Sequence, residues 1–179
     1  MSIPVWMFAT FTSVTVGALS DHLKIRSPFM LGSLTFTCIG LAILLAQTSV
    51  AVGVRYLALF FMTGGTFASI GMSVGWLNNN VVGKKRRGIS TGLTLAIGNC
   101  GSIVGSNVFL ANEAPRYTTG YSVALACVCL AMGCIVANVL YLRKENHHKA
   151  RGDQDHLLSL PAAEQSVLGD KHPSYRYVY

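Results

Sequence analysis

The sequence predicts an all-α integral membrane fold with five transmembrane helices. Two observations carry this. Of the 179 residues, 51% are hydrophobic and only 12% charged, with a mean hydropathy of +0.47, where a soluble domain has about a quarter charged. The few charges are also segregated. Met1–Ser20, Ser27–Val54, Tyr56–Gly83, Gly88–Asn112 and Tyr117–Leu142 contain no Asp, Glu, Lys or Arg. Each is long enough for a helix that crosses roughly 30 Å of hydrocarbon, which takes about 20 residues. A soluble enzyme, a disulfide-stapled secreted domain and a nucleic-acid module are excluded by this pattern.

The first span is expected over residues 3–20. No basic stretch precedes it, so a cleavable signal peptide is not expected. A loop from Asp21 to Pro28 follows, and Pro28 suits the first turn of a second span over 29–47. A polar link over 48–55 leads to the third span, 56–77. Asn78, Asn79 and Asn80 can end that helix, and a turn-rich loop runs on into Lys84, Lys85, Arg86 and Arg87. The fourth span is expected over 89–111 and the fifth over 121–142, joined by a link that contains Pro115. Residues 1–142 thus form one bundle. Residues 143–179 mix six basic with five acidic side chains and show no apolar period, so they are expected to be a disordered tail. Within it, Asp153 with Leu157-Leu158 has the spacing of an acidic dileucine signal, and Tyr175-Arg-Tyr-Val178 that of a tyrosine-based one.

Orientation follows from Lys and Arg. The loop after the first span, the loop after the third and the tail's first residues carry ten of them: Lys24, Arg26, Lys84 to Arg87, Arg143, Lys144, Lys149 and Arg151. The two opposite loops carry only Arg55 and Arg116. The positive-inside rule then puts the N-terminus outside and the tail in the cytosol. The excess of 14 basic over 7 acidic residues is read as topology rather than as affinity for nucleic acid.

The spans contain no ionisable Asp, Glu, Lys, Arg or His, groups that proton-coupled carriers commonly place within the membrane. No nucleophile–base pair, phosphate loop or metal-ligand set occurs, so neither an enzyme nor a cofactor nor a metal is expected. Cys38, Cys100, Cys127, Cys129 and Cys134 are odd in number and lie in apolar stretches, which suits small core residues rather than a disulfide framework. Neutral polar groups do occur at depth. Asn99 and Asn107 are two turns apart in the fourth span, where each carboxamide needs a partner. Interhelical hydrogen bonding and solute contact both satisfy that need. Gly98, Gly101 and Gly105 form a small-residue stripe with Ser102 and Ser106, expected to allow close helix packing. Gly64, Gly65, Gly71 and Gly75 do the same in the third span. Trp76 stands where an indole anchors at the interface.

The segment Gly17-Ala-Leu19-Ser-Asp21-His-Leu-Lys24-Ile-Arg26 resembles the loop signature of the major facilitator superfamily, with His22 and Lys24 where that family has Arg and Gly. The stretch from Gly75-Trp76-Leu-Asn78-Asn79-Asn80 through Gly83-Lys-Lys85-Arg86, and then Ile97-Gly98-Asn99-Cys-Gly101 through Gly105-Ser106, resembles the fungal anion:cation symporters of the allantoate, nicotinate, pantothenate and biotin permease group. Pro115-Arg116-Tyr117 with Gly120-Tyr121 is similar to that group's last outer loop. The likeness covers residues 3–150 and matches helices eight to twelve of a twelve-helix facilitator, a partial C-terminal half.

The resemblance implies secondary transport of a small organic anion or vitamin by a chain that lacks its N-terminal half. It implies solute contacts at Trp76, Asn79 and Asn99. It also implies a gating role for Gly17, Asp21 and Arg26 and for Lys84, Lys85 and Arg86. The partners expected are the lipid bilayer, the solute, and a full-length permease or the missing N-terminal half, and the expected location is the plasma membrane. The alternative is a non-transporting interaction protein that binds a full-length permease through its glycine faces. A small homo-oligomeric pore is a further alternative.

Overall fold

The computed structural model describes residues 3–23, 25–47, 50–109, 113–114, 116–152, 169 and 172–178. They form five helices: α1 (Ile3–Leu23), α2 (Ser27–Leu45), α3 (Val52–Asn80), α4 (Lys84–Val108) and α5 (Thr118–Ala150). All five expected helices are present. Four of them, α1, α2, α3 and α5, are long and apolar enough to cross a membrane. The fourth predicted span, now α4, does not reach that level of hydropathy. Its glycines, serines, threonines and Asn99 dilute the apolar residues between them.

The helix ends differ from expectation by several residues, with α1 running on to Leu23 and α3 covering Val52–Asn80, and three differences matter most. The basic run Lys84–Arg87 is the first turn of α4 rather than a loop. The bend falls at Gly83, whose φ of 100° is a left-handed conformation that favours glycine. Secondly, α5 continues through Arg143-Lys-Glu-Asn-His-His-Lys149 to Ala150, eight residues beyond the expected end. These are mostly good helix formers, and His147, His148 and Lys149 lie against the negative end of the helix dipole. Thirdly, the tail is not wholly without structure, because residues 172–178 return onto the bundle. The dileucine pattern lies outside the described residues, as do Lys24 and Pro115.

The centre of the bundle is the contact between α2 and α3. It is built from small and hydroxylic residues rather than large apolar ones. At Gly65 an added Cβ would sit 2.3 Å from the Ser33 carbonyl oxygen, and at Gly40 one would sit 2.7 Å from that of Ala58. Backbones meet here directly, which maximises dispersion contact where lipid supplies no hydrophobic drive. The hydroxyls in the seam are satisfied locally. Ser69 donates to the Gly65 carbonyl at 2.8 Å, with Ser33 Oγ 3.2 Å from its oxygen, and buried Thr37 donates to the Ser33 carbonyl at 3.2 Å. Helix α1 joins through aromatic edges, Trp6 on Phe67 and Phe8 on Phe60, each with ring centroids 5.3 Å apart. Helix α5 lies against α2. Helix α4 touches α3 and α5 lightly, and none of its residues is buried.

The contacts also sort the connections by end. The Gln47 side-chain amide donates to the Arg116 carbonyl, so the α2–α3 and α4–α5 links share one end. Arg26 lies over Gly75 near the end of α3, and residues 175–178 bind Asn79, Asn80 and Asn146. The described members of the basic set therefore gather at the other end.

Candidate functional site

Three cavities are lined by residues the sequence singled out or by their neighbours. The first holds the predicted gating residues Gly17 and Asp21, which lie in the last turns of α1, and Arg26, at the start of α2. Gly17, Ser20, Asp21 and Arg26 line a cavity of about 200 Å³ with Ser13 and Met72. Arg26, at the N-terminal cap of α2, donates to the carboxylate of Asp21 in the last turn of α1. The Arg26 guanidinium occupies the space that a side chain at position 75 would need, since a Cβ on Gly75 would overlap Nη1. Glycine at 75 is thus the condition for the Asp21–Arg26 pair to lie on α3. Lys84, Lys85 and Arg86 do not join this cluster; they are exposed on α4.

The second cavity is almost wholly apolar. About 280 Å³ lie between α1, α2 and α3, bounded by Phe8, Phe29, Phe36, Phe60 and Phe61.

The third is the best candidate for a solute. It is a cleft of about 320 Å³ formed by α2, α3, α4 and α5. Trp76 forms its floor with Met30 and Leu142, in the same buried cluster as Ala68 and Met72. Ser73, Asn80, Thr94 and Asn138 add neutral hydrogen-bonding groups to the lining, and Cys134 adds a free thiol. Among the described residues, its lining contains no carboxylate and no amine.

Of the predicted contacts, the structure places Trp76 here and not the other two. Asn79 is exposed, and its carbonyl accepts from the Tyr175 hydroxyl at 2.7 Å. Asn80 takes the place expected for it. Positions three and four beyond Trp76 diverge by about 100° around a helix, and the sequence alone does not say which side faces inward. Asn99 is exposed on α4 and does not line the cleft. Thr94 does so instead, and Asn99, five residues further on, is turned about 140° from it. Asn107 bonds its own helix, donating to the Ile103 carbonyl at 2.8 Å. Asn138 escaped the sequence reading because a single carboxamide in an apolar helix carries no pattern.

The packing stripe is likewise displaced. Gly98, Gly101 and Gly105 have open space where a Cβ would stand, so they make no close approach within this chain. On α3, Gly64, Gly65 and Gly75 do make close contacts, as expected of that span, and Gly40 on α2 joins them. At the opposite end, the Glu113 carboxylate accepts from the Thr119 amide at 2.9 Å and from its hydroxyl, bonds that hold its pKa below the ordinary carboxylate value. Among the described residues no group of three or more His, Cys, Asp and Glu could hold a metal ion.

A bundle with four helices long and apolar enough to cross a bilayer defines a multi-pass membrane protein. The chain belongs to the Major Facilitator Superfamily, whose sequence profile matches residues 1–172. It is 31% identical over 180 residues to the high-affinity nicotinic acid transporter of Saccharomyces cerevisiae, covering all of this chain and 33% of that protein. It is 29% identical to an uncharacterized transporter of Schizosaccharomyces pombe, covering 99% of this chain and 34% of that one. It is also 29% identical to the MFS-type transporter cnsO of Penicillium expansum, covering 99% and 35%. The chain thus spans about a third of the length of the curated relatives it matches. No solved structure matches it.

Proposed function

We propose that this chain forms one wall of a facilitator-type carrier for a small organic anion or vitamin, with the Trp76 cleft as its part of the solute path. The observation that carries this reading is the lining of that cleft. An indole gives a flat aromatic ring a stacking surface. The Ser73 and Thr94 hydroxyls and the Asn80 and Asn138 amides can donate to a carboxylate, and among the described residues no acidic group lines the cleft to repel it. The cationic end of the bundle raises the local concentration of anions. The likeness to a nicotinic acid transporter points to the same class of solute. In alternating access a midplane site lies between two halves, so the opposite wall comes from helices outside this chain. Gly98, Gly101 and Gly105, open on α4, are suited to close contact with those helices. In this reading the N-terminus is outside, the basic end is cytosolic, the membrane is the plasma membrane, and Asp21 with Arg26 forms part of the gate.

Cys134 makes the proposal testable, because its thiol lines the cleft. In a variant that retains only this cysteine, nicotinate or a similar carboxylate is expected to slow maleimide labelling several-fold, while a neutral sugar leaves it unchanged. If no member of a panel of small organic anions protects Cys134, the cleft is not a solute site. A second reading is favoured by the exposure of most of α4: the chain docks on a full-length permease without transporting. Co-purification of differently tagged chain and permease, lost on Gly101→Leu, with no solute protection at Cys134, selects it.

A further inference from the structure

We infer that the bundle carries a peptide-binding notch at its basic end, formed by Asn80, Asn146, Trp76 and Lys149, and that its ligand is segment 172–178 of this same chain, which leaves a turn closed by the Tyr175 amide on the His172 carbonyl at 2.9 Å and docks residues 175–178 as a strap across the mouth of the cleft. The recognition is of backbone. Val178 donates its amide to Asn80 Oδ1 at 2.8 Å, and its carbonyl accepts from Asn80 Nδ2 at 2.9 Å. Tyr177 does the same with Asn146, amide to Oδ1 at 2.9 Å and carbonyl from Nδ2 at 2.8 Å. Two carboxamides on different helices thus read the N–H and C=O of consecutive residues, as a neighbouring β-strand would. Trp76 Nε1 adds a bond to the Val178 carbonyl at 2.7 Å.

Side chains supply the selectivity. Tyr177 packs on the buried cluster of Trp76, Met30 and Leu142. Lys149, only 3% exposed, lies 4.5 Å from the Tyr177 ring centre and 5.6 Å from that of Tyr175, a cation–π clamp. The Tyr175 hydroxyl reaches the Asn79 carbonyl. The ligand class is therefore an extended Tyr-x-Tyr-aliphatic peptide. Because Trp76 and Asn80 belong both to the notch and to the cleft lining, the docked strap occupies groups that a solute entering from this end would need. The strap stands on these contacts whether or not the cleft carries a solute.

Hydrogen exchange on the intact chain in nanodiscs reads the notch directly. The amides of Tyr177 and Val178 are expected to exchange at least tenfold more slowly than in a free peptide of residues 172–178, and Asn80→Leu with Asn146→Leu removes that protection. Exchange at the free-peptide rate in the intact chain overturns the proposal. Closure is read separately at Trp76 in a Trp6→Phe background. Removing the chain from residue 172 onward should at least double acrylamide quenching, and the synthetic peptide 172–178 should reverse the rise. Unchanged quenching, or a rise the peptide does not reverse, refutes closure. Neither readout depends on transport, so failure here leaves the carrier reading to its own test.

Discussion

Gly65 and Gly101 are both mid-helix glycines in small-residue stripes, yet the fold places them in opposite surroundings, which makes Gly65→Ala and Gly101→Ala a controlled pair. At position 65 the new Cβ would meet the Ser33 carbonyl oxygen at 2.3 Å and Thr37 Oγ1 at 2.4 Å, where ordinary contact begins near 3.4 Å. The carbonyl is backbone of α2 and cannot rotate away, so the α2–α3 seam must open by about 1 Å. A radial gap of about 0.5–1 Å already forfeits a quarter to a half of each dispersion contact, and overpacking of this kind typically costs about 1–3 kcal/mol. At position 101 nothing stands within 4 Å. The gain of about 1 kcal/mol from replacing glycine by alanine in a helix is common to both variants and cancels in their difference. Gly65→Ala is therefore expected to be less stable than Gly101→Ala by about 1–3 kcal/mol. The assay is reversible unfolding of the purified chain by SDS in mixed micelles, followed by circular dichroism. An unfolding midpoint for Gly65→Ala equal to or above that of Gly101→Ala would refute the claim that backbone contact holds α2 to α3.

Further outcomes follow from the same geometry. Asp21→Asn should change stability by less than about 1 kcal/mol in the same SDS titration, because Asp21 is largely exposed; a larger loss would show that the Asp21–Arg26 pair holds α1 to α2. Glu113 has a folded pKa below its ordinary value, so its contribution is present at neutral pH and is lost only as pH falls through that lowered pKa. Thr119→Val should raise the Glu113 titration midpoint, measured by carbon-13 NMR of the labelled carboxylate; an unmoved midpoint would remove the threonine from the account. A tag appended after Tyr179 should be cleaved by protease added to the cytosolic side and spared from the outer side; the reverse result would invert the proposed orientation.

The number of helices was legible in the sequence because hydropathy is a property of a whole segment. Twenty uncharged residues need a helix in lipid whatever their neighbours do. The ends were less legible. The expected breaks at Lys84 and Leu142 rested on charge, yet a charged stretch outside the hydrocarbon can continue a helix, and α4 and α5 include theirs. The candidate site was legible at Trp76 and not at its companions. Asn79 and Asn80 are adjacent in the chain and point to different surroundings, and nothing local distinguishes them.

Composition, charge placement and motif thus determined that this chain is a multi-pass helical protein of the Major Facilitator Superfamily with its basic segments alternating along the sequence. Only the tertiary structure decided that, of the two expected glycine stripes, the one on α3 makes close contacts within this chain and the one on α4 does not, that Gly40 is the partner on α2, that Asn80, Thr94 and Asn138 line the cleft, and that residues 172–178 fold back to Trp76. The reason is physical. Transfer into lipid depends on what a segment is made of, whereas close approach and hydrogen bonding depend on which face meets a neighbour from a distant part of the chain.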